Sequence, residues 1–438
     1  MACCIFMRLS LVAKRRLLVL ILAIGAVLAV VLAVTRFDPI ATTGGAPVSL
    51  LNSPDLATVG ADKSAPFYNP KPVAEYTLPG TVRRVEDVAG APPGIKVQRM
   101  VYVSQTAAGE AKEVSALFAV KDGAPPPPNG RPLITVAHGT SGVAPGCGIS
   151  KEPFRLGSNG YFWWYFYTEP LVRAGYAVVM SDYGNLGTPG VSDYIVKNGA
   201  GADVLNAARA ALKLDVRDID ANKVAIVGHS QGGYNALAAA QMAPSYAPEL
   251  PIKGTVSQAP GLFPPAPLMK VFLQMGPGAG PDGTADFAAH LADAVVSWSA
   301  NYPNEIKPSD VLTEKGVQAL KTAETNCIVE TRAPFDGPYQ DFVKPDITAN
   351  IAGIVSKNMP VYDKFAAPVL MQQGLKDTVV VPGVNIAAYR TFCAEGSTVK
   401  LEEYPNDVHS SVLLAGWPST LEWLDGRFSG KPAPSTCQ

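Results

Sequence analysis

Histidine is scarce in this chain. Four stand among 438 residues, at positions 138, 229, 290 and 409, so any proton-transfer role has few candidates. No H-E-x-x-H and no C-x-x-C spacing occurs, which removes the common zinc and dithiol patterns and leaves neither a metal nor another cofactor indicated. Charge is also thin: 17% of residues, 36 basic against 37 acidic, for a net charge of −1. No basic cluster lies beyond the N-terminus, and a nucleic-acid partner is thereby excluded. What is plentiful is apolar: 47% hydrophobic residues, consistent with a chain that works against apolar partners. The 40 glycines and 39 prolines fall between recurring strand patterns and read as loops, not disorder.

The N-terminus carries an address. Lys14-Arg15-Arg16 precedes an unbroken apolar run over 17–34, with Arg36 and Asp38 after it. The run is long enough to cross a bilayer with its basic flank cytoplasmic. A retained anchor is the favoured reading of residues 1–37. A cleaved signal peptide is the alternative, although Ala33-Val34-Thr35 is a poor cleavage site. Both readings put the chain after Phe37 outside the cytoplasm. Cys147, Cys327, Cys393 and Cys437 all lie there, and an even count in an oxidising compartment suggests two disulfides, with three possible connectivities.

Residues 38–75, rich in Pro, Gly, Ser and Ala, read as a linker into a catalytic domain over 76–438. Strand-like runs occupy 81–88, 96–104, 113–120, 131–137, 176–180, 223–227 and 252–258, with a helical stretch at 202–214. Strands spaced by helix-length segments indicate an α/β fold with a mostly parallel sheet. From about 262 to 362 the alternation stops, and helical stretches at 285–297 and 310–325 sit among Pro/Gly-rich loops. Strands resume at 367–372 and 398–404, so the interruption reads as a mainly helical cap inserted over the catalytic face.

Gly228-His229-Ser230-Gln231-Gly232 follows a buried-strand pattern and precedes the alanine-rich stretch 234–242. Strand, G-x-S-x-G and helix together form a nucleophile elbow, in which a sharp corner exposes the serine Oγ in front of a helix N-terminus. Small flanks are required in so tight a turn, and Gly228 and Gly232 supply them. A serine hydroxyl needs a base, and the base an orienting acid. His409, in the loop after the last strand, is the expected base. Asp377, just past the strand at 367–372, is the expected acid, with Asp407 and Asp182 as rivals. The order Ser230, Asp377, His409 is the one an α/β hydrolase uses. For the oxyanion, the backbone N–H of Gln231 supplies one donor and the loop 138–142 the other, with Thr140 preferred over Ser141 and Gly142. Seven successive aromatics over 161–167 cannot all be buried by one element; those outside the core would line an acyl pocket or form an interfacial rim.

These residues resemble a known group. His138-Gly139-Thr140, Gly228-His229-Ser230-Gln231-Gly232, Gly374-Leu375-Lys376-Asp377 and the late His409 are similar to the secretory lipase family, typified by the fungal lipase A enzymes. The similarity covers roughly residues 65–437. It implies an α/β-hydrolase core, a helical cap, no cofactor, and hydrolysis of carboxylic esters including acylglycerols by a Ser230, Asp377, His409 triad. It also implies the pairings Cys147 with Cys327 and Cys393 with Cys437. The expected partner is a lipid or other small-molecule ester, with a membrane contact through the N-terminal segment. A serine peptidase or acyltransferase would use the same three groups, and a non-catalytic tethered binding protein would need them broken. An enclosed apolar acyl site would raise kcat/KM as the acyl chain grows from C2 to C8.

Overall fold

A computed structural model of the chain describes residues 66–437, except 75, 124, 215–218, 265–268, 270–280 and 361–363. The apolar run at 17–34 lies outside the described residues, as do Cys3 and Cys4. Among the described residues no helix is long and apolar enough to cross a membrane.

Nine strands form one sheet: β1 (Val82–Asp87), β2 (Ile95–Gln105), β3 (Ala111–Lys121), β4 (Arg131–Ala137), β5 (Ala177–Ser181), β6 (Ile219–His229), β7 (Ile252–Gln258), β8 (Val369–Gly374) and β9 (Val399–Tyr404). Their order is β1-β2-β3-β5-β4-β6-β7-β8-β9. The pairs β1/β2, β2/β3 and β3/β5 are antiparallel, and every pair from β5 to β9 is parallel.

The central strands each carry a buried, mostly apolar stretch, such as 133–137 of β4, 177–180 of β5 and 224–227 of β6, because both faces are covered. Leu133 of β4 and Val179 of β5 join one core, with Val204 and Leu205 of helix Lys197–Ala211 and Ala236 and Leu237 of helix Gln231–Tyr246. Their neighbours Ile134, Val136, Val178 and Met180 point the other way, against Trp163, Trp164, Leu171, Trp423 and Leu424. The two-residue period of a strand sorts one run of sequence into two cores. The outer strand β1 instead alternates half-buried and exposed positions and carries Arg83, Arg84, Glu86 and Asp87, which blunt an open edge.

Two sequence expectations change, the linker and one cap helix, while the aromatic run is split between buried and exposed positions as expected. Phe67 and Tyr68, within the stretch expected as linker, are buried. Arg84 Nε donates to the Phe67 carbonyl at 2.9 Å, and Glu113 Oε2 accepts from Arg84 Nη2 at 2.7 Å and from the Lys71 amide at 2.9 Å. Folded chain therefore begins ahead of residue 76. The single helix expected over 310–325 is two, Pro308–Val311 and Glu314–Leu320. Leu312 between them is extended (φ −98°, ψ 148°) and bridges Val343, and Thr313 caps the second helix by accepting from Gly316 N at 3.1 Å. The aromatic run occupies helix Asn159–Trp163 and a π-turn, Trp164–Thr168. It buries Trp163, Trp164 and Tyr167 and leaves Phe162 and Tyr165 exposed.

Between β7 and β8 the described residues hold helices Pro281–Asn301, Pro308–Val311, Glu314–Leu320, Ile328–Arg332, Tyr339–Phe342 and Thr348–Asn358, and no strand of the sheet. Cys147 is bonded to Cys327, joining the stretch after β4 to this helical segment, and Cys393 is bonded to Cys437.

Candidate active site

β6 ends at His229 and a helix starts at Gln231, so Ser230 alone makes the corner. Its backbone takes φ 59°, ψ −122°, a left-handed conformation that costs on the order of 1–3 kcal/mol for a residue with a side chain. Three hydrogen bonds hold it there: Ser230 N to Gln258 O at 2.9 Å, and Tyr234 N and Gly261 N to Ser230 O at 3.0 and 2.9 Å. A Cβ on Gly228 would stand 2.1 Å from the Gly232 carbonyl oxygen, and one on Gly232 would stand 1.9 Å from that of Ala137. Both contacts are with backbone, so the two glycines are required by close approach.

The loops after β8 and β9 bring Asp377 and His409 to this corner. His409 Nε2 lies 2.9 Å from Ser230 Oγ, and His409 Nδ1 lies 2.7 Å from Asp377 Oδ2. Asp377 is held on its other oxygen, where Oδ1 accepts from Val379 N at 2.9 Å and Val380 N at 2.8 Å. Gln373 Nε2 donates to Oδ2 at 3.3 Å, and Asn385 Nδ2 orients Gln373 through its Oε1 at 2.7 Å.

The rival carboxylates are occupied elsewhere. Asp407 Oδ1 accepts from Ser411 Oγ at 2.7 Å, and its carbonyl accepts from Lys376 N at 3.0 Å, which ties the loops after β8 and β9 together. Asp182 accepts from Ser115 Oγ and from the amide and hydroxyl of Ser150.

His229, which the sequence places in the elbow without a task, has one. Its Nε2 donates to the His409 carbonyl at 2.8 Å, and the two rings lie 4.7 Å apart. Burial, then the neighbouring His409, hold the His229 imidazole down to about 3, so it stays neutral. His138 is buried against Tyr183, whose hydroxyl donates to the His138 carbonyl at 2.8 Å, and burial lowers its pKa.

The loop 138–142 packs against the elbow: a Cβ on Gly139 would meet the His229 carbonyl at 3.1 Å, besides striking the Trp163 ring. Ser141 O accepts from Ile328 N at 3.0 Å, Gly142 bridges Cys327, and Thr140 Oγ1 bonds the Tyr194 hydroxyl at 2.9 Å.

Above Ser230 is a cavity of about 60 Å³ lined by Gln231, Tyr194, Ile195, Leu262, Phe263, Phe287, His290, Leu291 and Val379 to Val381. Ile195 is a second left-handed residue in that wall, with φ 53°, and Trp298 Nε1 donates to its carbonyl at 3.1 Å. None of the seven aromatics at 161–167 lines the cavity; Trp163 packs behind the elbow, its ring 6.1 Å from that of His229. Among the described residues no cluster of side chains could hold a metal ion.

Comparison with known proteins agrees with this architecture. Lipase 4 of Candida albicans is 29% identical over 288 residues, 61% of this chain. The match spans 59% of that relative's own length. A probable inactive lipase of Mycobacterium tuberculosis is 24% identical over 390 residues, 84% of this chain and 82% of that one. The solved structure of Candida antarctica lipase A in its closed state superposes with a TM-score of 0.68 at 22% identity, covering 85% of this chain and 87% of that one. It shares the α/β-hydrolase fold. The profile of the family described as secretory lipase matches residues 165–436, a stretch that contains the elbow, both loops facing it and two of the four disulfide cysteines. By that match, over more than half its length, the chain belongs to the secretory lipase family.

Proposed function

We propose that this protein is an extracytoplasmic serine hydrolase that cleaves carboxylic esters, acylglycerols and other lipid esters among them, through an acyl-enzyme intermediate. The observation that carries the reading is the unbroken hydrogen-bond path from Ser230 Oγ through His409 to Asp377. His409 takes the Ser230 proton as Oγ attacks the ester carbonyl, and Asp377 stabilises the imidazolium that forms. His409 then protonates the leaving alcohol. Water attacks the acyl-enzyme with the same base, and Ser230 is released. The oxyanion falls in front of the helix Gln231–Tyr246, where the Gln231 N–H and the Thr140 backbone N–H are its donors. His229 acts through His409, as a positioning residue that fixes the base by its carbonyl. The helices between β7 and β8 serve as a cap, since Phe287, His290 and Leu291 roof the cavity over Ser230.

Location outside the cytoplasm is supported by the family and by the two disulfides. A non-catalytic role has no support in a site whose nucleophile, base and acid are all in bonding distance. The test is a panel of p-nitrophenyl esters with the full-length protein and Ser230→Ala. The variant should fold as wild type and lose about 10⁴- to 10⁶-fold in kcat. Retention of a tenth of wild-type kcat would remove Ser230 from the role.

A further inference from the structure

The loop facing the nucleophile is held at its ends and in its middle, and the middle hold comes from the cavity wall. The His138 carbonyl accepts from the Tyr183 hydroxyl at 2.8 Å, and the Ser141 carbonyl from Asn159 Nδ2 at 3.1 Å. Thr140, between them, is held by its side chain: Oγ1 lies 2.9 Å from the Tyr194 hydroxyl. Tyr194 is 4% exposed and lines the cavity beside Ser230 and Gln231. One side chain thus meets both the space over the nucleophile and the loop 138–142. Burial, and after it Asp293, push the Tyr194 hydroxyl well above its usual range, so it stays a neutral phenol. A phenol is a stronger donor than an alcohol, which makes Tyr194 the donor and Thr140 Oγ1 the acceptor.

The backbone on either side of Tyr194 is fixed independently. Asp193 Oδ2 takes Lys112 Nζ of β3 at 2.5 Å, and a Cβ on Gly199 would stand 2.3 Å from that same oxygen. Ser192 N donates to the Val143 carbonyl at 3.2 Å. On the other side Ile195 takes φ 53°, a left-handed conformation that a β-branched residue rarely adopts. Trp298 Nε1, from the helix Pro281–Asn301, holds the Ile195 carbonyl at 3.1 Å. Strain of this kind persists only where the surroundings over-determine it, and it gathers at functional sites. What it secures here is the direction of Tyr194, whose hydroxyl is carried to a threonine 54 positions back.

We propose that Tyr194 is a positioning residue for the oxyanion: its hydroxyl fixes Thr140, and with it the backbone N–H that receives the developing charge. The inference rests on the reading of Ser230 as nucleophile and of 138–142 as the oxyanion loop. Donors aimed in advance at the developing charge act on the transition state and little on the ground state. Loss of the hydroxyl therefore belongs in kcat, while the ring, still in the wall, keeps KM near its wild-type value.

Tyr194→Phe in the full-length protein keeps the ring and removes the hydroxyl. On p-nitrophenyl butyrate its kcat should fall roughly ten- to a hundredfold, with KM within about twofold of wild type. Its Ki for butaneboronic acid, which closes on a serine as a tetrahedral adduct, should rise by a similar factor. Thr140→Val should reproduce both losses, and Thr140→Ser, which restores a hydroxyl, should recover most of the rate. The double variant Tyr194→Phe, Thr140→Val should be no worse than the poorer single one, since both remove the same bond. Wild-type kcat in Tyr194→Phe, a loss confined to KM, or losses that multiply in the double variant overturn the proposal. Should Tyr194→Phe melt below the assay temperature, Thr140→Val against Thr140→Ser carries the same comparison. Ser230→Ala keeps the two readings apart. If it is inactive while Tyr194→Phe matches wild type, the positioning role alone fails. If it hydrolyses the ester at the wild-type rate, the nucleophile reading fails and the role falls with it.

Discussion

Replacing Asp377 by Asn changes one atom of the proposed triad, and the surrounding hydrogen bonds dictate the consequence. Oδ1 accepts two backbone N–H groups, from Val379 and Val380, so the asparagine carbonyl must stay in that position. The amide nitrogen then replaces Oδ2, 2.7 Å from His409 Nδ1. It cannot accept a hydrogen bond, and the imidazole must move its proton to Nε2. That nitrogen faces Ser230 Oγ at 2.9 Å and can no longer take the serine proton. A wrong tautomer of this kind costs about 10⁴ in kcat, or about 5 kcal/mol in the barrier. Stability should fall far less, by about 1–3 kcal/mol, because the two backbone bonds survive. Asp407→Asn is the internal control: its side chain meets Ser411, not His409, and its effect on kcat/KM should stay below roughly tenfold. Rates on a short p-nitrophenyl ester, with thermal melts of each variant, decide the matter. If Asp377→Asn keeps more than a tenth of wild-type kcat/KM, or if Asp407→Asn is the more damaging, the reasoning is refuted.

His229→Phe removes the donor to the His409 carbonyl while keeping a ring; kcat should drop roughly tenfold with little change in KM, and a wild-type kcat would end the positioning role. In the chain-entropy description, the Cys147–Cys327 bridge closes 180 residues and contributes about 5 kcal/mol, against about 4 for the 44 residues of Cys393–Cys437. Cys327→Ser should therefore lower Tm more than Cys437→Ser, and the reverse order would contradict this. Burial pushes the Asp293 carboxyl up to about 8, and neither of its oxygens has a partner. As pH rises from about 4 to 8 the unfolded chain ionises this group and the fold does not, so stability is lost across that range. His229 and His290, both held at about 3, act oppositely and lose stability as pH falls below about 6.5. Between pH 6.5 and 8 the Asp293 contribution dominates, and Asp293→Asn should flatten the decline of Tm there; an unchanged slope would refute it. Finally, the apolar wall over Ser230, with Leu262, Phe263, Phe287 and Leu291, predicts that kcat/KM on p-nitrophenyl esters rises from C2 to C8, and a steady fall from C2 onward would refute an apolar acyl site.

What the sequence made legible was local. The elbow is readable because strand, glycines, serine and helix occupy consecutive positions, and a tight turn tolerates few residue types. Asp377 and His409 are readable because each follows a strand, and because four histidines leave little choice. What it hid depends on distant contacts. His229 bonds a carbonyl 180 positions away, and nothing in G-H-S-Q-G announces it. His290 reaches the cavity only because the helix Pro281–Asn301 is laid over the elbow. The break at Leu312 comes from its pairing with Val343, and Gly316 follows because a Cβ there would stand 2.1 Å from the Phe342 carbonyl oxygen. Phe67 and Tyr68 sit in a stretch whose composition reads as linker, but Arg99 stacks over the Phe67 ring at 4.9 Å. The aromatic run defeats a periodicity argument because its helix widens into a π-turn partway.

The strand order carries a consequence for how such a protein can diverge. Ser230, Asp377 and His409 leave from the ends of β6, β8 and β9. The strand between, β7, supplies none of the three and instead launches the helical segment that roofs the cavity. The three groups and the roof over them thus come from separate stretches of one chain. Residues 262–362 can be lengthened, shortened or rewritten while β7 keeps its place between β6 and β8, and the distance from nucleophile to base need not change. A lineage built on this frame is free to drift from one ester to another by editing its roof, and the same partition marks where a designer should cut when grafting a new specificity onto an old reaction.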